Sequence, residues 1–85
     1  FSLSQNYPNP FNPVTNISYN IETGGYVSMK VYNAAGIEVA SLVNRKQASG
    51  RYEIKFDASR LSSGIYFYTL RVNDFSETKR MVLLK

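Results

Sequence analysis

The side chains that could carry acid–base or metal chemistry most directly are the six carboxylates, Glu22, Glu38, Glu53, Asp57, Asp74 and Glu77. Histidine and cysteine are both absent. That removes the usual general base, the thiol nucleophile and the commonest ligands of transition metals. The acids do not have the DxDxDG spacing of a calcium loop. Two of them, distant in sequence, could in principle assemble as a glycosidase pair, but nothing in their spacing points that way, and isolated acids on strand surfaces are ordinarily just solvated. No glycine-rich loop follows a strand and opens a helix, so no phosphate cradle is expected either. The sequence therefore predicts no catalytic residue, no metal site and no cofactor. Exposed flat aromatics are what a sugar-binding module would use, and the chain has seven Tyr and five Phe. Strand alternation accounts for most of them. Tyr26, Tyr32 and Phe67 are left facing outward, either as a patch for a partner or as cover for a neighbouring loop.

The elements that would position these side chains are strands. Eighty-five residues make one domain, near the low end for a β-sandwich. A composition 44% hydrophobic and 14% aromatic is globular and leans towards β structure. Without cysteine there is no disulfide staple, which neither requires nor excludes an extracellular home. The formal charge is +4, but Arg45-Lys46 and Lys79-Arg80 are the only adjacent basic pairs. A nucleic-acid face needs a cluster or stripe, so solvated surface is the expectation, with no nucleic-acid partner. The apolar run Met81–Leu84 is far too short to span a membrane. The chain opens on Phe1 with no signal peptide, and reads as a piece cut from a longer protein.

From Gly64 the segment Leu61–Val72 alternates as a strand, with Tyr66, Tyr68, Leu70 and Val72 on one side. Ile65 and Phe67 occupy the other side, which places the strand centrally in its sheet. The spacing Leu61-x-x-Gly64-x-Tyr66 is that of the tyrosine corner of immunoglobulin-like sandwiches, with the phenol bonded to backbone near Leu61–Ser63; a plain core tyrosine is the alternative. A short strand is expected over Phe1–Gln5. The block Tyr7-Pro8-Asn9-Pro10-Phe11-Asn12-Pro13 follows as a rigid, irregular edge segment, with Tyr7 and Phe11 pinning it to the sheet. Strands are predicted over Thr15–Ile21, with Ile17, Tyr19 and Ile21 inward, and over Tyr26–Tyr32, with Val27, Met29 and Val31 inward. The turn Asn33-Ala34-Ala35-Gly36 should put Gly36 at positive φ. Ile37–Val43 is a strand whose pattern slips, as a β-bulge near Ser41 would make it do. Asn44–Gly50 reads as loop and Arg51–Asp57 as strand, with Tyr52, Ile54 and Phe56 inward. One helical turn fits Asp57–Gly64, capped by Asp57 or Ser59. Asn73-Asp74 is a tight hairpin turn, and Phe75–Leu84 is the last strand. The total is about seven strands of an antiparallel sandwich.

Several of these stretches together resemble the C-terminal sorting domain of the type IX, or Por, secretion system. They are Tyr7-Pro8-Asn9-Pro10-Phe11-Asn12-Pro13 with Thr15, Val31-Tyr32-Asn33 with Gly36, Gly50, Leu61-Ser62-Ser63-Gly64-Ile65-Tyr66, and the terminal Lys79-Arg80-Met81-Val82-Leu83-Leu84-Lys85. They fall in family order along the whole chain. Two departures are Glu22-Thr23-Gly24-Gly25, where the family often carries Leu-Pro, and Phe56, at a position the family can fill with Trp. The related Ig-like domain of the flagellar hook-cap protein shares parts of the pattern.

The resemblance implies an all-β, immunoglobulin-like antiparallel sandwich and a role as an address. An N-terminal cargo in the parent chain would cross the inner membrane by an ordinary signal peptide. The outer-membrane translocon would then recognise the folded domain in the periplasm. A sortase-like peptidase would commonly remove it, leaving cargo at the cell surface or outside the cell, and the domain itself would not insert into a membrane. The alternatives are a structural Ig-like spacer and a carbohydrate-binding accessory module of a secreted glycoside hydrolase. The same resemblance makes Lys79, Arg80, Met81, Val82, Leu83, Leu84 and Lys85 the candidates for translocon recognition. Met81–Leu84 is apolar on both faces of a strand, so its second face needs either a neighbouring element or a partner.

Overall fold

The computed structural model describes all residues, Phe1–Lys85. Seven strands form in chain order: β1 (Ser2–Leu3), β2 (Val14–Ile21), β3 (Gly25–Asn33), β4 (Glu38–Gln47), β5 (Gly50–Asp57), β6 (Gly64–Val72) and β7 (Phe75–Leu83). They make a three-stranded sheet in the order β1-β2-β5 and a four-stranded sheet in the order β4-β3-β6-β7. Every neighbouring pair is antiparallel. The β2–β5 and β3–β6 pairings join strands that are not consecutive, as Greek-key connections do in immunoglobulin-like sandwiches.

Alternation puts the core between the sheets. Ile17, Tyr19 and Ile21 of β2, Val27, Met29 and Val31 of β3, and Tyr66, Tyr68, Leu70 and Val72 of β6 are all buried. β6 is central, between β3 and β7, as its two apolar faces suggested. β5 inserts Phe56 fully and Tyr52 and Ile54 in part, while Arg51, Glu53, Lys55 and Asp57 point to water.

Four tyrosines donate their hydroxyls to tie connections down. Tyr66 donates to the Ser62 carbonyl (2.6 Å), which is the tyrosine corner. Tyr19 donates to Gln47 Oε1 (2.6 Å) at the end of β4. Tyr52 donates to the Ala48 carbonyl (2.7 Å), and Tyr68 to the Ser4 carbonyl (2.7 Å). Phenylalanine would fill the same volume without the tether. Tyr66→Phe is expected to cost about 1 kcal/mol, the usual net value of one hydrogen bond. A lower urea midpoint at unchanged slope is the readout; an unchanged midpoint would show that the corner bond adds nothing to stability.

The β3–β4 turn forms as expected. Gly36 takes φ 82°, its N–H donates to the Asn33 carbonyl (2.9 Å), and Asn33 Oδ1 accepts from the N–H groups of Ala35 and Ile37. Asn73 and Asp74 alone join β6 to β7, with Asn73 in the left-handed region at φ 53°.

Three expectations need correction, and a fourth, the β-bulge near Ser41, is met and extended. The first strand is only Ser2–Leu3. The slipped pattern of β4 comes from two irregularities: pairing steps from Tyr32–Glu38 to Val31–Ala40, and from Lys30–Ser41 to Met29–Val43. Val39 and Leu42 are therefore extra residues, one on either side of Ala40-Ser41. Asn44–Gln47 continues β4 instead of forming a loop, because its backbone stays paired with β3 through Gly25–Gln47. Finally, Asp57–Gly64 holds no helix. Asp57 Oδ1 accepts from the Ser59 N–H (2.9 Å), and one turn closes from the Leu61 N–H to the Ala58 carbonyl (2.9 Å).

Candidate recognition surface

The proline block is a strap bonded to both sheets. Tyr7 exchanges two backbone bonds with Asn16, on the β2 side (both 2.9 Å). Four residues later Phe11 bridges in parallel to Leu83 of β7. The Phe11 N–H donates to the Val82 carbonyl and the Leu84 N–H to the Phe11 carbonyl (both 3.0 Å). Asn9 Oδ1 accepts from the Val82 N–H (3.0 Å), and Gln5 Nε2 donates to the Arg80 carbonyl (2.6 Å). Backbone groups that would otherwise lie open on the edge of β7 are thus satisfied by the N-terminal segment. All three X–Pro bonds of the strap, at Pro8, Pro10 and Pro13, are cis.

Phe11 anchors the strap as expected, at 2% exposure, with its ring 6.2 Å from that of Phe56. Tyr7 does not, being 79% exposed. Ladder partners share a face, and its partner Asn16 is on the outward side of β2, between the buried Thr15 and Ile17. The buried anchor is Asn6 instead. Its N–H donates to Tyr68 Oη (2.8 Å), and its Nδ2 donates to Thr15 Oγ1 (3.0 Å) and the Pro8 carbonyl (3.2 Å). Thr15 Oγ1 also donates to the Pro8 carbonyl (2.9 Å). Sequence reasoning missed Asn6, because among the asparagines of this stretch nothing distinguishes it by type. Thr15 was within reach, since it shares the inward parity of Ile17, Tyr19 and Ile21.

The terminal block divides by the same parity. Met81 and Leu83 are wholly buried. Lys79 is half-buried and pairs with Glu77 at 3.3 Å. Val82 is half-buried beside Ile65 on the outer face. Arg80, Leu84 and Lys85 are exposed. Lys85 is tethered through its N–H to Ser63 Oγ (2.9 Å) and through Nζ to the Ser59 carbonyl (2.6 Å). The second face of Met81–Leu84 is thus left open, while the strap covers the edge. Of the other motif residues, Asn33 and Gly36 form the β3–β4 turn, Gly64 opens β6, and Pro8, Asn9 and Pro10 lie on the exposed side of the strap.

The two outer faces differ. On the three-stranded sheet, β5 presents Arg51, Glu53, Lys55 and Asp57, and β2 adds Asn16, Ser18 and Asn20, giving a polar face with balanced charge. On the four-stranded sheet, cross-strand register aligns Tyr32, Phe67 and Arg80 in one row, and Ser28, Arg71 and Ser76 in another. Tyr26, 53% exposed, bonds Asn44 through its hydroxyl and faces Lys46 across the ladder. The one carboxylate on this face, Glu38, pairs with Lys30 at 3.3 Å.

No three acids come together as a metal site. A groove of about 320 Å³ between the β4 and β5 edges is lined by Val39, Ala40, Phe56, Asp57, Ser59, Arg60 and Leu61. It has one carboxylate and no second titratable group that could share a proton with it.

Residues 5–84 match the family described as the secretion system C-terminal sorting domain. No curated protein is significantly similar to the chain. Among solved structures, the chain is similar to PorZ, an essential bacterial surface component of the type-IX secretion system of Porphyromonas gingivalis. The TM-score is 0.67 at 21% identity, over 95% of this chain and 11% of PorZ. At that identity the likeness is one of fold, and the chain spans about a tenth of PorZ's length.

Proposed function

The chain belongs to the family of secretion-system C-terminal sorting domains and is a sorting signal of the type IX secretion system; from that premise we propose that the translocon reads it through the outward side chains of its last seven residues, Lys79–Lys85. Domains of this family stand at the C-terminus of a cargo that is exported to the cell surface or the extracellular space, and they are in general not catalysts. In this reading the cargo passes through the periplasm with the domain folded, the outer-membrane translocon binds it, and a sortase-like peptidase cuts it away.

The observation that carries the reading is the family match over residues 5–84, which runs from the strap through the tyrosine corner into the terminal block. The geometry narrows it. Met81 and Leu83 are core and Lys79 is held by Glu77, so contact falls to Arg80, Val82, Leu84 and Lys85. Leu84, 55% exposed at the end of a tethered strand, is an apolar side chain that the fold itself leaves without cover.

The test is a fluorescent cargo with an N-terminal signal peptide, fused to Phe1–Lys85 and expressed in a bacterium with a type IX system. The full fusion is expected at the surface or in the medium. The Leu84→Asp/Lys85→Glu fusion is expected to stay in the periplasm, with an unchanged circular-dichroism spectrum. Normal export of that folded variant would make the terminal block structural only. Failure of the unaltered fusion to leave the periplasm would remove the sorting role itself.

A further inference from the structure

Basic residues scattered along the sequence are placed on one face by the fold. On the outer face of the four-stranded sheet Lys46, Arg71 and Arg80 come from three different strands, and none of them makes an ion pair. The only acid on the face, Glu38, is occupied by Lys30. One end of the face is apolar: Tyr32 pairs with Phe67, and Ile65, 42% exposed, pairs with Val82, while a polar row of Lys30, Thr69 and Thr78 lies between this end and Arg71. The opposite face of the sandwich carries a single exposed aromatic, Tyr7 beside Asn16, and no excess charge.

Resting on the sorting reading above, we propose that this outer face, beyond the terminal block, is the docking surface for an acidic, folded protein of the export machinery. An apolar, aromatic cluster with an arginine beside it, here Arg80 across from Phe67, is the composition of protein–protein interface cores and hot spots. The unpaired cations call for carboxylates opposite them, which steer encounter and fix orientation more than they add affinity. A glycan is a poorer fit. Sugars stack on open flat rings, whereas Tyr32 and Phe67 are half-buried. β6 supplies Ile65, Phe67 and Arg71, and β7 supplies Arg80 and Val82, so the surface is continuous with the exposed part of the terminal block.

The same export assay tests this with residues outside the terminal block. Lys46→Glu/Arg71→Glu reverses two exposed charges on the proposed face. Arg51→Glu/Lys55→Glu makes the same charge change on the opposite face. Export of the first is expected to fall by about tenfold or more, and the second to export as the unaltered fusion does, with both melting at nearly unchanged temperature. A photo-crosslinking phenylalanine analogue at Tyr32 reads contact without altering any charge. It is expected to give a discrete, protease-sensitive adduct in exporting cells, lost in the Lys46→Glu/Arg71→Glu background. Equal export of both double variants would overturn the proposal while leaving the sorting role intact. So would an equal loss in both, or a protease-resistant, periodate-sensitive ladder of adducts, which would mean a glycan. Failure of the unaltered fusion to export would bring down the sorting reading and this proposal with it.

Discussion

Tyr68→Phe is expected to lower the unfolding free energy by roughly 2–3 kcal/mol, at least twice the loss from the same change at Tyr66. The difference lies in what each hydroxyl leaves behind. Tyr66 gives up one bond to the carbonyl of Ser62, an exposed residue that water can serve. Tyr68 is wholly buried, and its hydroxyl both donates to Ser4 and accepts from the backbone N–H of Asn6, itself 2% exposed. Without the hydroxyl that N–H has no partner and no water. The loss should also change the alkaline limb of the stability curve. Burial pushes the Tyr68 phenol up to about 12; the Asn6 N–H opposes the shift and the Glu77 charge adds to it. A folded-state pKa above the unfolded value near 10 means a contribution fully present below pH 10 and lost as pH rises towards 12. The slope over that window is about 1.4 kcal/mol per pH unit for one group. The phenylalanine variant should therefore lose less stability between pH 10 and 12 than the unaltered domain. Tyr19, also raised by burial, leaves a residual slope in both. Equal stability at pH 7, or parallel curves up to pH 12, would show that Tyr68 is not the hub described here.

What could be read in advance depended on whether a segment kept one period. β2, β3 and β6 alternate without interruption, so their inward sets and the central place of β6 followed from residue type alone. β4 could not be read that way, because each of its two extra residues reverses the parity. The strap was recognisable as an edge segment from its prolines. Its facing was not, because that is set by the pairing of Tyr7 with Asn16 across the chain and not by the preference of tyrosine for burial. The basic face was invisible for a related reason. Lys46, Arg71 and Arg80 are placed on one face by strand order and register, and neither is encoded in the spacing of charges along the chain.

Removing Lys79–Lys85 is expected to unfold the domain outright, so loss of export by such a truncation would report on folding and not on recognition. The cut deletes Met81 and Leu83, both at 0% exposure. Truncating either side chain to alanine would by itself cost roughly 2–5 kcal/mol. It also deletes the β7 residues paired with Gly64, Ile65, Tyr66, Phe67 and Tyr68, exposing half of β6 as a new edge. It strips the strap of its anchors as well, since the backbone groups of Arg80, Val82 and Leu84 bond the side chains of Gln5 and Asn9 and the backbone of Phe11. With the strap loosened, Asn6 and Tyr68 lose the packing that keeps their bonds dry. A small domain has a total stability of about 5–15 kcal/mol, and a chain of this size falls towards the lower end. The two core side chains alone are comparable with that margin. A domain ending at Thr78 should therefore show a coil-like circular-dichroism spectrum and no cooperative melt at 25 °C, whereas Leu84→Asp/Lys85→Glu, which touches neither the core nor the ladder, should melt close to the unaltered domain. A truncated domain that still melts cooperatively would mean that the second half of β7 is dispensable to the sandwich. The terminal seven residues could then be treated as a separable signal instead of a strand whose outward half is left for a partner to read.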